Sequence, residues 1–256
     1  MPSIAELRAV GQPPSIFARD SGEHWAGRLY IRRLSPYVTR LFIPTPITPN
    51  GVTWLMLLVG VAAAAVLTLP GIAAAVVAFL LIQVQILLDC SDGELARWRD
   101  VRSTAGVYLD RVAHWVTESL LPIALGIRAD GGWDQIGTYT TLGLVVAVFV
   151  LWIKGESALV TVARADAGKP PAADTEAVAA PSGGLLRSAR RALRRLPFYR
   201  AFVAMEFTML ALAAAIADAV AGDLSGTRFL VVALIPVAAV TVAGHGLAIL
   251  TSGRLK

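Results

Sequence analysis

Six long apolar segments divide the chain between about residue 52 and residue 250. They are residues 52–69, 71–90, 104–127, 135–153, 201–221 and 228–250. Each contains about twenty residues, the length that an α-helix needs to cross the hydrocarbon core of a bilayer. The pattern predicts an all-α membrane protein with six transmembrane helices. The Pro70-Gly71 pair predicts a tight turn between the first two.

An amphipathic stretch, residues 23–42, precedes these segments. Apolar residues such as Trp25, Leu34 and Leu41 recur there at helical spacing, among several arginines. This pattern predicts a helix that lies in the membrane interface, and a helix packed on the spans is a compatible alternative. We therefore expect an N-terminal arm and interfacial helix over residues 1–43 and a six-helix domain over 44–256. Within that domain, residues 164–199 are expected to form a basic, partly flexible cytoplasmic loop.

Composition and charge agree with a membrane location. The chain is 56% hydrophobic and 16% charged, and its net charge is +5. The basic residues flank the apolar segments, where topology and lipid headgroups explain them, so a nucleic-acid partner is not expected. The expected outer connections, 70–71, 128–134 and 222–228, contain only Arg128 and Arg228. The positive-inside rule then places both termini in the cytoplasm.

The cellular location follows from composition as well. Alanine- and arginine-rich usage is typical of a bacterium with GC-rich DNA. We therefore expect a multi-pass protein of the bacterial plasma (inner) membrane.

Polar residues cluster where the second apolar segment ends and the third begins. The first set has the spacing i, i+3, i+4 and i+7, one helical face: Asp89, Asp92, Gly93 and Ala96. The second set has the spacing i, i+4 and i+8, again one face: Gly106, Asp110 and His114. Two helices joined by a short connection lie antiparallel, so these faces can meet. Clustered carboxylates repel one another, and the arrangement therefore predicts a divalent cation, Mg²⁺ or Mn²⁺.

This stretch resembles the signature of the CDP-alcohol phosphotransferases, D-x-x-D-G-x-x-A-R-x8-G-x3-D-x3-D. Seven positions match at the right spacing: Asp89, Asp92, Gly93, Ala96, Arg97, Gly106 and Asp110. His114 stands where the family has its fourth aspartate. The resemblance implies an integral membrane phosphotransferase of phospholipid biosynthesis. Such an enzyme moves a substituted phosphoryl group from a CDP-alcohol, here most naturally CDP-diacylglycerol, to a polar alcohol or alcohol phosphate and releases CMP.

The resemblance also implies residue roles. The metal ligands would be Asp89, Asp92, Asp110 and His114, and the catalytic residues Asp110 and His114. The nucleotide would be bound by Asn50, Thr53, Asp89, Gly93, Ala96, Arg97 and Gly106. The phosphate of a phosphorylated acceptor would be bound by Lys154 and Arg200, at the end of the fourth span and the start of the fifth. Members of the family often form homodimers, and the sequence itself carries no signature of a dimer interface.

His114 leaves three explanations open. The first is an active enzyme that uses the imidazole as its base, since the ordinary pKa of histidine, about 6.5, suits proton transfer near neutrality. The second is an active enzyme with an altered choice of metal or acceptor, and the third is a relative that has lost turnover and binds nucleotide or lipid. A proton- or ion-coupled transporter is a further class, but it would place polar groups near the bilayer midplane in repeated halves. No such repeat is visible.

A basic stretch, residues 185–195, lies in the long loop before the fifth segment. It predicts an amphipathic helix on an anionic leaflet, and capture of an acceptor phosphate is the alternative.

Overall fold

A computed structural model describes residues 1–14, 25–170 and 198–255. Every regular element in these ranges is helical, and no strand occurs in them. The helices are α1 (Ile4–Gly11), α2 (Arg32–Phe42), α3 (Pro49–Leu67), α4 (Ile72–Trp98), α5 (Thr104–Asp130), α6 (Thr138–Asp166), α7 (Ala204–Ala221) and α8 (Ser225–Thr251). Shorter helical turns are Gly27–Ile31, Trp133–Gln135 and Phe198–Phe202. The prediction of an all-α protein is confirmed for this part of the chain.

Five helices of the described ranges are long and apolar enough to cross a membrane: α3, α4, α6, α7 and α8. These helices indicate a multi-pass membrane protein. Helix α5 has 27 residues, which is also enough to span a bilayer. It is less apolar because it contains Asp110, Arg111 and Glu118. The count of six spans therefore stays a prediction, as does the interfacial position of α2.

The chain divides into two compact units. Unit 1 comprises residues 1–64 and 77–117, and unit 2 comprises residues 65–76 and 118–256. Buried apolar side chains of α3, α4 and α5 form a core in unit 1: Val52, Met56, Leu88, Leu95 and Ala113. This core fixes the three helix faces on which most of the predicted site residues lie.

A short turn connects α4 to α5 in unit 1. Asp100 has a φ of 51°, in the left-handed region, and ends α4. The amide of Val101 donates to the carbonyl of Ala96, and the amide of Asp100 donates to that of Arg97, which is the pattern of a Schellman motif. Ser103 then caps α5, since its Oγ accepts from the amide of Gly106 at 3.0 Å. The turn therefore brings the end of α4 and the start of α5 together.

Close backbone packing joins α5 to α6 in unit 2. A Cβ on Gly126 would lie 2.4 Å from the carbonyl oxygen of Tyr139, and one on Gly143 would lie 2.4 Å from that of Pro122. Glycine is thus required at both positions for the helices to approach this closely. Asp130, the last residue of α5, caps the start of α6 by accepting from the amides of Gly137 and Thr140 at 2.8 and 2.7 Å.

Candidate metal centre

Three of the predicted metal ligands converge in unit 1. Asp89 comes from α4, and Asp110 and His114 come from α5, one turn apart. One ligand atom of each residue lies within 4.8 Å of the others. The Nε2 of His114 lies 3.2 Å from Oδ1 of Asp89 and 3.5 Å from Oδ1 of Asp110. The two helix faces therefore meet, as their spacing in the sequence predicts.

The cluster is accessible from outside. The side chains of Asp89, Asp110 and His114 are 31%, 43% and 34% exposed. All three side chains are therefore only partly covered by the rest of the described chain.

The donor set fits a divalent cation. Two carboxylates supply hard oxygen ligands and negative charge, and the imidazole supplies a nitrogen. Imidazole suits Mn²⁺ and other first-row transition ions better than it suits Mg²⁺. His114 also contributes no negative charge, so the cluster has less charge to offer a second cation than an all-aspartate set would have.

Asp92, the fourth predicted ligand, is held by α3. Its Oδ2 accepts a hydrogen bond of 2.6 Å from Oγ1 of Thr53, whose residue is only 3% exposed. The cluster formed by Asp89, Asp110 and His114 does not include Asp92. The structure thus pairs a residue predicted to bind the nucleotide with one predicted to bind the metal, and joins α3 to α4 at this point.

Two signature glycines also have specific neighbours. A Cβ on Gly106 would lie 3.0 Å from Oδ1 of Asn50, so the amide side chain of Asn50 sits against the backbone of α5. A Cβ on Gly93 would lie 3.1 Å from Nη1 of Arg97. The guanidinium of Arg97 therefore covers Gly93. Ala96, the remaining small residue of the signature, is partly buried.

Arg99 is a residue that sequence reasoning missed. Its guanidinium donates to the carbonyl oxygens of Phe42, Ile43, Thr45 and Ile47. This side chain fixes the loop that carries the chain from α2 into Asn50 and Thr53. Its position directly after Trp98, the last residue of α4, was the available signal, because cations near a helix C-terminus often bind carbonyl groups.

The two predicted acceptor-phosphate residues lie in unit 2, and each faces a carboxylate. Nζ of Lys154 is 2.6 Å from Oε2 of Glu118, and Nη1 of Arg200 is 3.9 Å from Oε1 of Glu206. Their charges are thus partly balanced within the unit. The predicted basic helix at residues 185–195 lies outside the described residues, as do residues 171–197 of the predicted flexible loop.

These features define a multi-pass helical membrane protein with an acidic, histidine-containing cluster between two neighbouring helices. A family model described as CDP-alcohol phosphatidyltransferase matches residues 46–221 of the chain. The match covers more than half of the chain and includes the whole signature. The chain therefore belongs to the CDP-alcohol phosphatidyltransferase family. A comparison with curated proteins finds no match.

Proposed function

We propose that this protein transfers a substituted phosphoryl group from a CDP-alcohol, CDP-diacylglycerol above all, to the hydroxyl of a polar alcohol or alcohol phosphate. The observation that carries the proposal is the convergence of Asp89, Asp110 and His114 in a member of this family. The acceptor oxygen forms a bond to the phosphorus that bears the donor's alcohol. The bond between that phosphorus and CMP breaks, and CMP leaves.

The chain offers groups for each need of this reaction. A divalent cation at the cluster would supply positive charge that stabilises the negative charge of the pyrophosphate and of the attacking and leaving oxygens. Asp89, Asp110 and His114 would hold it, with Asp92 as a further ligand. Arg97 would contact a phosphate of the nucleotide. The nucleotide-binding site would be lined by Asn50, Thr53, Gly93, Ala96 and Gly106. Lys154 and Arg200 would meet the phosphate of a phosphorylated acceptor.

The orientation of His114 bears on which residue takes the acceptor's proton. Nε2 faces both Asp89 and Asp110. A nitrogen that ligates a cation cannot accept a proton at the same time, so the roles of ligand and base exclude each other at Nε2. We assign the ligand role to His114 and the role of base to Asp110, because a carboxylate has a second oxygen that can accept the proton.

A second function is favoured by the same histidine. The hydrogen bond between His114 and Asp89 satisfies polar atoms of both side chains within the cluster itself. A relative that binds a CDP-alcohol or lipid without transferring its phosphoryl group is therefore the alternative. Turnover by the unaltered protein excludes this alternative.

We place the protein in the bacterial plasma membrane with the cluster facing the cytoplasm. The distribution of arginines supports this orientation, because the positive-inside rule puts them there. Membrane lipids would contact α2, whose outward side chains include Leu34, Tyr37 and Leu41, 47%, 55% and 69% exposed.

The test is conversion of CDP-diacylglycerol by the purified protein in lipid, with a panel of polar alcohols and alcohol phosphates. Mass spectrometry identifies the product. We expect one acceptor to yield a phospholipid, and Asp110→Asn to abolish it. Asp134→Asn, an exposed aspartate in the turn before α6, is the matched control and should retain the activity. Product formation that persists in Asp110→Asn would contradict the assignment.

A further inference from the structure

The N-terminal segment, residues 1–14, packs on the signature helix α4. The carbonyl oxygen of Gly11 accepts a hydrogen bond of 2.6 Å from Nε of Arg97. Gly11 is buried, and a Cβ there would lie 3.2 Å from Cγ of Glu94. Glycine thus allows the end of α1 to approach α4 closely enough for its carbonyl to reach the arginine.

A buried carboxylate holds this segment in place. Glu94 is 2% exposed and follows Gly93 directly in the signature. Nε2 of Gln12 donates to Oε1 of Glu94 at 2.8 Å, and Oγ1 of Thr39 donates to Oε2 at 2.6 Å. Ser35 donates to Oε1 as well. Burying a carboxylate costs free energy unless donors surround it, so these bonds fix Glu94 and Gln12 in one arrangement.

Gln12 also joins the segment to α2. The same Nε2 donates to the backbone carbonyl of Arg32 at 2.8 Å. One amide group therefore connects three parts of unit 1: the N-terminal segment, α2 and the signature helix.

These contacts restrict the orientation of the Arg97 side chain. Its Nε is engaged by Gly11, and its Nη1 and Nη2 lie over Gly93, 3.1 and 3.3 Å from where a Cβ would be. A guanidinium fixed through Nε has few orientations left for its outer nitrogens, which are the ones that make paired hydrogen bonds to phosphate. We propose that Gln12 is a positioning residue, which through Gly11 fixes the Arg97 guanidinium over Gly93 for a phosphate of the nucleotide. This inference rests on the proposed function.

The test is the affinity of the full-length protein for CDP in the presence of Mn²⁺, measured by titration in detergent. Gln12→Glu changes the side chain little in size but sets a carboxylate against Glu94. We expect this variant to weaken CDP binding about tenfold, the effect of losing one charge-assisted hydrogen bond. Gln135→Glu, an exposed glutamine in the turn before α6, makes the same change of charge and should bind CDP normally.

The Arg97→Ala background separates positioning from a structural effect. If Gln12 acts through Arg97, then Gln12→Glu weakens CDP binding no further in that background. Equal weakening in both backgrounds, or unchanged affinity with a lowered melting temperature, would overturn the inference. Gln12→Ala removes the amide donors without adding charge. It replaces Gln12→Glu in these measurements if Gln12→Glu does not fold. Absence of CDP binding by the unaltered protein would overturn the inference and the proposed function together, whereas unaltered affinity in the Gln12 variants overturns the inference alone.

Discussion

Nε2 of His114 lies 3.2 Å from Oδ1 of Asp89, on the neighbouring helix. The contact joins α4 to α5 at the place where the family signature has only aspartates. Exchange of an aspartate for a histidine removes one negative charge from the cluster and replaces an oxygen ligand by nitrogen. Both effects would influence which cation the cluster prefers.

Replacement of His114 by aspartate should change the metal preference. An all-oxygen cluster favours Mg²⁺, whereas the imidazole favours Mn²⁺. Mutation of residues that merely contact a metal ligand changes metal affinity by about 10–100-fold. Exchange of a ligand itself should have at least as large an effect, so we expect His114→Asp to lower the ratio of Mn²⁺ affinity to Mg²⁺ affinity by at least about tenfold. Competition of Mg²⁺ against Mn²⁺, followed by electron paramagnetic resonance, measures this ratio. An unaltered ratio would argue that His114 is not a ligand.

Thr53 should prove important through its hydroxyl rather than its shape. Thr53→Val keeps the size of the side chain and removes the donor to Asp92. Because a buried acceptor left without its donor costs about 1–3 kcal/mol, we expect a loss of that order in the free energy of unfolding. Thermal unfolding in detergent measures it. Thr53→Ser, which keeps the hydroxyl, should lose much less, and equal losses would show that the methyl group matters instead.

Arg99 should not be replaceable by lysine. The guanidinium reaches four carbonyl oxygens of the loop between α2 and α3 at once, which a single ammonium group cannot do. We expect Arg99→Lys to destabilise the protein by about 1–3 kcal/mol, because carbonyl groups lose their partners. Faster amide hydrogen exchange at residues 43–48 would locate the effect. Exchange that speeds up uniformly over unit 1 would contradict this role.

Gly143 should tolerate no side chain. Gly143→Ala places a methyl group 2.4 Å from the carbonyl oxygen of Pro122, and overpacking of this kind costs about 1–3 kcal/mol. Gly155→Ala is the control, since it lies in the same helix and the added group would meet no atom of another helix within 4 Å. It should raise stability by up to about 1 kcal/mol, because alanine favours the helix. A similar melting temperature for both variants would contradict close packing of α5 and α6.

Apolar segment length predicted the positions of the long helices well. Each of the six apolar segments coincides with a helix, because a span needs about twenty apolar residues and little else. The predicted segments ended too early where a helix continues into polar sequence. Helix α4 runs on to Trp98, since its end is set by the left-handed Asp100 rather than by hydropathy.

The convergence of the three candidate ligands was predictable for a different reason. Asp89, Asp110 and His114 have helical spacing on either side of a short turn, so local geometry nearly determines their meeting. Contacts between distant parts of the chain were not predictable. Gln12 and Glu94 are separated by 82 positions, and nothing in the local pattern of either residue indicates the other.

The most direct test of the proposed function is CMP release by the purified protein in lipid, with CDP-diacylglycerol, an accepted alcohol, and Mg²⁺ or Mn²⁺. The account predicts CMP release that requires the cation, stops when the cation is chelated, and is lost in Asp110→Asn. No release from the unaltered protein, together with release from His114→Asp, would contradict it. That result would mean that the chain keeps the fold and the binding site of its family but does not perform the transfer.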